Sequence, residues 1–264
     1  MKIGFIGFGN MASAMINGIL ESGAASCQEV MASAKSEKTR ERIAKERGIL
    51  PGRTNLEVVE FADVLFLAVK PLYYAEVIGQ IKDAVRPEQI IVTIAPGKTL
   101  EWLEEQFGKE VKLVRTMPNT PAMVKEGMMG LCRNENVTDE QMKTVCDLCS
   151  SFGKTECIPE NLMDVVTGVS GSSPAYVFMF IEAMADAAVA DGMPRAQAYK
   201  FAAQAVLGSA KMVLETGKHP GELKDMVCSP GGTTIEAVRV LEEKGMRSAV
   251  FEAMKACVKK SREM

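Results

Sequence analysis

The stretch that decides the fold is MKIGFIGFGNMASAMINGIL, residues 1–20. It begins with a short apolar run, Lys2–Ile6, which has the length and composition of a β-strand. The pattern G-x-G-x-x-A follows at residues 7–12, and the apolar spacing from Asn10 to Ser22 predicts a helix. A strand, a glycine turn and a helix in this order are typical of the first unit of a dinucleotide-binding fold.

Each small residue of this turn has a physical role. Gly7 permits the tight turn, Gly9 lets a diphosphate approach the backbone, and Ala12 allows helix and strand to pack closely. The helix N-terminus offers free N–H groups and the positive end of its dipole to the diphosphate. The cofactor contacts predicted in this region are Ile6, Gly7, Phe8, Gly9, Asn10, Met11 and Ala12.

Outward from the turn, short apolar runs alternate with longer amphipathic runs up to about residue 158. Further strands are predicted at Glu29–Ala32, Val64–Val69, Ile90–Ile94 and Val111–Val114. Helices are predicted at Ser36–Arg47, Tyr73–Val85, Leu100–Phe107 and Asp139–Ser151. This alternation implies a doubly wound, mostly parallel sheet, and hence an α/β Rossmann domain over residues 1–158.

From residue 159 to residue 264 the pattern becomes helical throughout, because β-branched runs disappear and alanine, methionine and leucine recur at helical spacing. The predicted helices are Pro174–Ala190, Arg195–Thr216, Thr233–Lys244 and Met246–Arg262. Several of them are apolar on more than one face, which indicates burial against a second subunit. We therefore expect an all-α dimerisation domain and a homo-oligomer.

Composition excludes several classes of protein. The chain has 264 residues, 47% of them hydrophobic and 25% charged, as in soluble globular proteins. Its formal net charge of −3 gives no basic excess for nucleic acid. His219 is the only histidine, so a His-rich metal site is excluded and no metal is expected. Because His219 precedes Pro220, a structural role in a loop is the favoured interpretation.

Cysteine usage and the lack of targeting patterns indicate a cytoplasmic protein. Seven scattered cysteines do not suggest a disulfide framework. We interpret Cys146 and Cys149, a lone C-x-x-C, as two buried small side chains rather than a redox or metal pair. The N-terminus does not resemble a signal peptide, and the longest uncharged run, Val165–Ile181, falls short of the roughly 20 apolar residues of a membrane span.

The end of the second predicted strand selects the nucleotide. NAD-binding proteins usually place an acidic residue there, but this chain has Ser33, Ala34, Lys35 and Ser36, with Lys38 close by. Hydroxyls and cations suit a 2′-phosphate, so NADP(H) is the favoured cofactor and NAD(H) the alternative. A solvated helix start remains the other interpretation of this segment.

Further candidates follow the later strands or begin helices. Loops at the carboxyl ends of parallel strands line the ligand crevice. Lys70 is either a solvated loop lysine or a residue of the site. The candidates in these loops are Ala68, Val69, Lys70, Pro71, Ala95 and Pro96 for the cofactor and Asn119 for the substrate. Two glycine–serine segments that lead into helices, residues 169–176 and 229–234, suit the capture of an anion such as a substrate carboxylate.

Together these residues resemble the pyrroline-5-carboxylate reductases. The matching blocks, in family order, are GFIGFGNMASA, ADVLFLAVKP, MPNTPA, TGVSGSSPAY, DGMPR and HPGELKDMVCSPGGTTIEAV. They extend from residue 3 to about residue 240, and the last block is the most specific. Ser173 departs from the pattern, because many relatives carry glycine at this position.

The resemblance implies reduction of 1-pyrroline-5-carboxylate to L-proline with NAD(P)H, the last step of proline biosynthesis. It implies cofactor contacts at residues 7–12, near Ala34, at Asn55 and along residues 68–71. Substrate contacts are implied at Ser170, Gly171, Ser172, Ser173, Pro174, Gly231, Gly232, Thr233 and Thr234. The Thr234 hydroxyl is the candidate catalytic partner of the ring nitrogen, with a plain helix cap as the alternative role.

Two other functions remain open at this point. A β-hydroxyacid dehydrogenase or another imine reductase would share the architecture, but the former uses a lysine early in the first long helix of the second domain. No lysine occurs in residues 175–181, which weighs against it. A non-catalytic NADP(H)-sensing protein would not need the SPGGTT segment at residues 229–234.

Overall fold

The computed structural model describes residues 1–263, without the side chains of residues 44, 46 and 47. The chain forms two compact units: one comprises residues 1–172 and the segment from Cys257 onward, and the other comprises Ser173–Ala256. The predicted boundary between residues 158 and 159 remains a prediction. The last residue of the predicted helical domain, residue 264, lies outside the described residues.

The first unit is built on a sheet of eight strands within the described residues. They are β1 (Ile3–Ile6), β2 (Val30–Ser33), β3 (Leu50–Gly52), β4 (Val64–Leu67), β5 (Ile90–Thr93), β6 (Lys112–Met117), β7 (Gly127–Arg133) and β8 (Gly153–Cys157). Their order in the sheet is β3-β2-β1-β4-β5-β6-β7-β8, and only the β6–β7 pair is antiparallel. The strand order reverses at β1, so the fold is doubly wound and mostly parallel, which confirms the predicted class.

The central strands are buried on both faces, as their continuous apolar runs require. Along β4 the side chains alternate: Val64 and Phe66 enter one core, while Leu65 and Leu67 enter the other. The Phe5 and Phe66 rings stack in the first core with their centroids 4.6 Å apart. Because β1, β2, β4 and β5 pair in parallel, their carboxyl ends lie at the same edge of the sheet.

The helices of this unit are α1 (Asn10–Glu21), α2 (Glu37–Arg47), α3 (Asn55–Phe61), α4 (Tyr74–Ile81), α5 (Leu100–Phe107), α6 (Asp139–Cys149) and α7 (Met163–Val166). The five that the sequence predicted, α1, α2, α4, α5 and α6, begin within one residue of the predicted positions. Local chemistry sets several of these starts, because Thr54, Thr99 and Thr138 each accept an N–H of the first helical turn. Gly108, in the left-handed conformation, ends α5.

The sequence did not predict five elements of this unit, β3, α3, β7, β8 and α7. β3 has only three residues and contains Pro51, so it carries no strand pattern. β7 has glycine at its first and fourth positions, Gly127 and Gly130, which weakens its strand signal. β8 is mostly polar, and it is a strand because it pairs with β7.

The second unit is helical, as predicted. It contains α8 (Ser173–Ala190), α9 (Arg195–Thr216), α10 (Pro220–Val227), α11 (Thr233–Glu243) and the first part of α12 (Met246–Arg262). These helices bury few side chains: Ala185 in α8, Ala198 and Ala202 in α9, and Leu223 in α10. Large apolar side chains such as Phe178, Phe201, Leu214 and Phe251 are exposed instead.

One segment, Glu160–Ala190, is long and apolar enough to cross a membrane by length and composition alone. It has 31 residues, and 6% of its most apolar window is buried. Such a helix is weak evidence for a membrane span, because a helix covered by another subunit has the same composition. The expectation that the chain binds no membrane stays a prediction.

Candidate functional site

The glycine turn between β1 and α1 is held by the ends of two neighbouring strands. The Gly7 N–H donates to the Ser33 carbonyl oxygen at 3.1 Å, and the Ala68 N–H donates to the Ile6 carbonyl oxygen at 2.8 Å. Gly7 has φ +102°, and a Cβ at this position would lie 2.6 Å from the Ala68 carbonyl oxygen. Only glycine fits this turn without strain or collision.

Gly9 is glycine for a different reason. A Cβ at Gly9 would meet no described atom within 4 Å, and the backbone is extended, with φ −85° and ψ −175°. Neither packing nor conformation within the chain therefore requires glycine here. No described side chain caps α1, and its first turn contains no acidic residue. The open space and uncapped N–H groups fit a bound diphosphate.

The other predicted residues of this turn differ in how far their side chains are buried. Ala12 is buried between α1 and the sheet, and Phe8 is buried beneath the Arg42 guanidinium, which lies 5.4 Å from the ring centroid. Asn10 is exposed at the first position of α1, and Met11 is half-buried. The turn therefore presents its backbone and Asn10 outward, while Phe8 and Ala12 anchor it.

The segment after β2 carries a chain of hydrogen bonds. Ser33 Oγ donates to Asn55 Oδ1 at 2.8 Å, and Asn55 Nδ2 donates to Gln80 Oε1 at 2.8 Å. Ser36 Oγ accepts the Thr39 N–H at 3.2 Å, so Ser36 acts as a cap of α2. The structure thus brings together Ser33 and Asn55, which are both predicted cofactor contacts.

Two cations are positioned beside this segment. Lys35 is exposed, and its Nζ lies 5.9 Å from the centroid of the Tyr73 ring. Arg40 Nη1 donates to the Ala34 carbonyl oxygen at 3.0 Å. Arg40 was missed at the sequence level. Arg40 lies four residues after Ser36, near the start of the helix that follows the nucleotide-selecting strand. This position could have indicated it from the sequence.

The loops after β4 and β5 are fixed by a buried tyrosine that was also missed. Tyr74 Oη donates to the Leu67 carbonyl oxygen and accepts the Ile94 N–H at 3.3 Å. Complete burial raises the pKa of Tyr74 above its ordinary value, so the hydroxyl stays protonated. This hydroxyl ties together the two strand ends from which the predicted residues 68–71 and 95–96 extend.

Within these loops the predicted residues differ in exposure. Ala95 is buried, whereas Ala68, Val69, Pro71 and Pro96 are half-buried. Lys70 is exposed and caps the short 3₁₀ turn Pro71–Tyr73. Its position leaves both interpretations of the lysine open.

Asn119 holds two backbone segments together. It is buried, its Nδ2 donates to the Ser170 carbonyl oxygen at 3.0 Å, and its Oδ1 accepts the Met128 N–H at 2.9 Å. These contacts are structural, and its predicted contact with substrate stays a prediction. Its effect here is to fix Ser170, which itself belongs to the predicted substrate segment.

That segment forms a π-helical turn, Thr167–Gly171, ahead of α8. The Ser172 N–H donates to the Thr167 carbonyl oxygen at 2.8 Å, and Ser170 Oγ donates to the Val166 carbonyl oxygen at 3.1 Å. π turns are uncommon and often lie at functional sites. Ser172 Oγ accepts from Cys257 Sγ at 3.2 Å, so the end of α12 contacts this turn. Ser173 and Pro174 are the first two residues of α8.

The other predicted substrate segment lies before α11. Gly231 has φ +67°, and Gly232 is the N-cap, with its N–H donating to the Ser229 carbonyl oxygen at 3.0 Å. No described side chain caps α11. Thr234 is half-buried in the first turn, and Thr233 is exposed. This helix start therefore presents N–H groups and two hydroxyls.

His219 caps α10, because its Nδ1 accepts the Gly221 N–H at 3.0 Å. The predicted structural role of this histidine is confirmed. Among the described residues, no group of three His, Cys, Asp or Glu side chains is arranged to hold a metal ion.

A doubly wound sheet with an uncapped glycine turn at its first βα junction defines a dinucleotide-binding protein of the Rossmann class. Two family models match the chain. One, described as NADP oxidoreductase, coenzyme F420-dependent, covers residues 2–97. The other, for pyrroline-5-carboxylate reductase dimerisation, covers residues 160–264.

Similar proteins match over the whole chain. A pyrroline-5-carboxylate reductase of Escherichia coli is 53% identical, with 100% of this chain and 98% of that protein covered. One of Arabidopsis thaliana is 40% identical, with 100% and 95% covered. A crystal structure of the Plasmodium falciparum pyrroline carboxylate reductase with NADP bound has a TM-score of 0.91 at 33% identity, with 100% and 97% covered. The chain belongs to the pyrroline-5-carboxylate reductase family, which confirms the resemblance found in the sequence.

The family model that covers residues 160–264 identifies the helical part as a dimerisation domain. Its first residue lies next to the predicted boundary at 158/159, whereas the compact units divide at Ser172 and Ser173. The π turn is thus inside the matched family region but outside the compact helical unit.

Proposed function

We propose that this chain reduces 1-pyrroline-5-carboxylate to L-proline with a reduced nicotinamide dinucleotide. The observation that carries the proposal is the uncapped, open glycine turn of residues 7–12 in a chain that belongs, over its full length, to the pyrroline-5-carboxylate reductase family.

The cofactor is proposed to lie along the carboxyl ends of β1, β2, β4 and β5. The uncapped N–H groups of α1 bind its diphosphate, and Gly9 leaves room for it. Ala34, the Ser33–Asn55 pair and the segments 68–71 and 95–96 complete the predicted contacts. When bound, the dinucleotide supplies the hydride that is transferred to the imine carbon. The protein supplies position and electrostatic stabilisation.

The substrate is a small cyclic imine with one carboxylate. The proposal assigns its carboxylate to the N–H groups at the start of α11, residues 231–234, which no described side chain caps. The predicted start with free N–H groups at residues 170–174 is instead a π turn in which the Ser172 N–H is bonded to the Thr167 carbonyl oxygen, so this segment is a separate candidate through its serine hydroxyls. A protonated imine is already electrophilic, so the chain needs to orient it rather than to activate it strongly. The Thr234 hydroxyl is proposed to hydrogen-bond the ring nitrogen and to help hold its proton.

The preference for NADP(H) over NAD(H) is part of this proposal. Lys35 and Arg40 are the cations positioned at the nucleotide-selecting segment, and no acidic residue occurs in residues 33–36. Arg40 is bonded to the Ala34 carbonyl through one guanidinium nitrogen. A planar guanidinium held in this way suits a phosphate group.

We also propose that the working form is a homo-oligomer in a reducing compartment. The exposed apolar side chains of α8, α9 and α12 support a second copy as their cover, and the seven cysteines, all free, support the cytoplasm. The same cover accounts for the apolar character of Glu160–Ala190 without a membrane.

The test is oxidation of NADPH by the purified protein when pyrroline-5-carboxylate is added, followed by the loss of NADPH absorbance. L-proline should form in equal amount, and a 3-hydroxy acid with NADP⁺ should give no turnover. Arg40→Gln should raise KM for NADPH about tenfold and leave KM for NADH unchanged, because one charged contact of about 1.4 kcal/mol is lost. No turnover of the imine with either nucleotide would refute the proposed function.

A further inference from the structure

Two cysteines that are 11 positions apart in the sequence approach each other in the first unit. Cys146 lies on α6 and Cys157 is the last residue of β8, and their Sγ atoms are 3.6 Å apart. We propose that Cys146 and Cys157 form a dithiol site that reacts with low-molecular-weight disulfides and closes to an intramolecular disulfide. This site uses none of the residues assigned above to cofactor or substrate.

The sequence pattern pointed to a different pair. Cys146 and Cys149 form the C-x-x-C, but Cys149 is fully buried, and burial raises its pKa above the ordinary value. The interpretation as a buried side chain therefore holds for Cys149. Cys146 is only half-buried, and its thiol faces Cys157, which is exposed. The reactive pair is thus set by the β8–α6 packing and not by sequence spacing.

The two thiols are not equivalent. Desolvation and the hydrogen bond to Cys157 raise the pKa of Cys146 to about 12. Cys157 is exposed whereas Cys146 is half-buried, so an oxidant reaches the Cys157 sulfur first. Cys157 is therefore the thiol that attacks first, and Cys146 is the thiol that resolves the intermediate.

A groove gives an oxidant access to this pair. It has a volume of about 640 Å³, and its lining includes Cys146, Cys157, Arg133 and Lys143. Arg133 Nη1 is buried and has no hydrogen-bond partner among the described residues, while Nη2 of the same side chain contacts Asp139. The lining carries Arg133 and Lys143 together with Asp139 and Glu160, so its mixed charge suits an oxidant with both carboxylate and ammonium groups, such as glutathione disulfide.

The reaction balances as thiol–disulfide exchange. The Cys157 thiolate attacks one sulfur of the oxidant RSSR, forms a mixed disulfide and releases RS⁻. The Cys146 thiol gives its proton to the released thiolate and attacks the Cys157 sulfur, and the second RS⁻ leaves and takes a proton from solvent. The dithiol loses two electrons, and RSSR is reduced to two RSH. A disulfide needs the sulfurs about 1.5 Å closer than they are here, which side-chain rotation supplies.

The experiment treats the full-length protein with glutathione disulfide, alkylates the remaining thiols and digests with trypsin. Because cleavage after Lys154 separates the two cysteines, the expected product links residues 144–154 to residues 155–195, with fragmentation that places the bond on Cys146. Five of the seven cysteines should remain alkylatable. Dithiothreitol should reverse the link.

Variants separate this pair from its neighbours. Cys157→Ser should abolish the link, and Cys146→Ser should leave a single glutathione adduct on Cys157, because no resolving thiol remains. Cys27→Ser, a change at a half-buried cysteine outside the groove, should leave the link intact. A wild-type protein that keeps all its thiols, that accumulates only the mixed disulfide, or that links Cys149 instead would overturn the proposal. The wild-type digest decides this even when a variant does not fold.

Discussion

Two turns of this chain each place a glycine with positive φ shortly before an N-cap glycine, but they differ in their surroundings. In the first, Gly7 has φ +102° and Gly9 caps α1 with φ −85° and ψ −175°. In the second, Gly231 has φ +67° and Gly232 caps α11 with φ −79° and ψ 172°. Each turn thus places a glycine with positive φ before an extended N-cap glycine, and neither helix is capped by a described side chain.

The packing of the two turns is opposite. A Cβ at Gly7 would collide with the Ala68 backbone, whereas a Cβ at Gly231 would meet no described atom within 4 Å. Behind the first turn, α1 buries a row of side chains that includes Ala12, Met15 and Ile16. Among the described residues, α11 buries none.

The difference shows which of the two turns is packed by residues of its own chain. The first turn is built into a two-sided core, so its geometry is set before any ligand arrives. The second turn is carried by a helix without a buried face, in a region that matches the family's dimerisation model. We therefore expect the first turn to depend on its own packing and the second to depend on a second copy and on substrate.

The largest expected effect is a difference in stability between alanine variants of the two positive-φ glycines, Gly7 and Gly231. Gly7→Ala should lower the free energy of unfolding by ~3 kcal/mol or more, because a collision with backbone adds to the strain of positive φ. Gly231→Ala should cost only ~1–2 kcal/mol, from strain alone. Denaturant unfolding of both variants measures this difference. Equal losses would contradict the contrast between an enclosed and an open turn.

A second test asks whether Thr234 acts in chemistry or only in helix capping. Thr234→Ala should lower kcat tens-fold at unchanged KM for NADPH, as expected for the loss of one proton-holding or positioning contact. Thr234→Ser keeps the hydroxyl and should recover most of the activity. Steady-state kinetics that are unchanged in the alanine variant would remove Thr234 from the mechanism.

A third test uses Gly9, the N-cap glycine of α1. Gly9→Ala should weaken NADPH binding at least tenfold, about 1.4 kcal/mol, because its Cβ occupies the open space assigned to the diphosphate. The Tm should not fall, since that Cβ meets no described atom of the protein.

Gly79→Ala provides the matched control, because Gly79 is another exposed glycine with open space around it. It should leave both NADPH binding and turnover unchanged. An unaltered dissociation constant in Gly9→Ala would show that the diphosphate does not lie at this turn.

The smallest expected effect concerns the tyrosine that holds the first site. Tyr74→Phe should lower the free energy of unfolding by about 1 kcal/mol, because the Leu67 carbonyl loses its donor and the Ile94 N–H its acceptor. It should also raise KM for NADPH, since both strand ends lead into predicted cofactor loops. Tyr73→Phe, at the exposed neighbour, should do neither. A Tyr74→Phe variant with wild-type stability would show that the hydroxyl is dispensable.

Local patterns in the sequence were sufficient wherever a side chain's role depends on its neighbours along the chain. The G-x-G-x-x-A turn, the uninterrupted apolar run of β4 and the cap-bounded helix α5 all have the predicted form. β7 and β8 were missed because their pairing, and not their composition, makes them strands. Arg40 and Tyr74 were missed because each acts through a hydrogen bond to a backbone carbonyl that folding brings close.

The sequence by itself determined the strands β1, β2, β4, β5 and β6 with most of the helices, the glycine turn for a dinucleotide and the family, because these depend on short periodic patterns and fixed spacings. The tertiary structure alone decided which cysteine faces Cys146, which loops Tyr74 and Asn119 join, and why Gly7 and Gly231 are under different constraints. Those features depend on contacts between residues far apart in the chain, and such contacts exist only once the sheet has set the register of its strands.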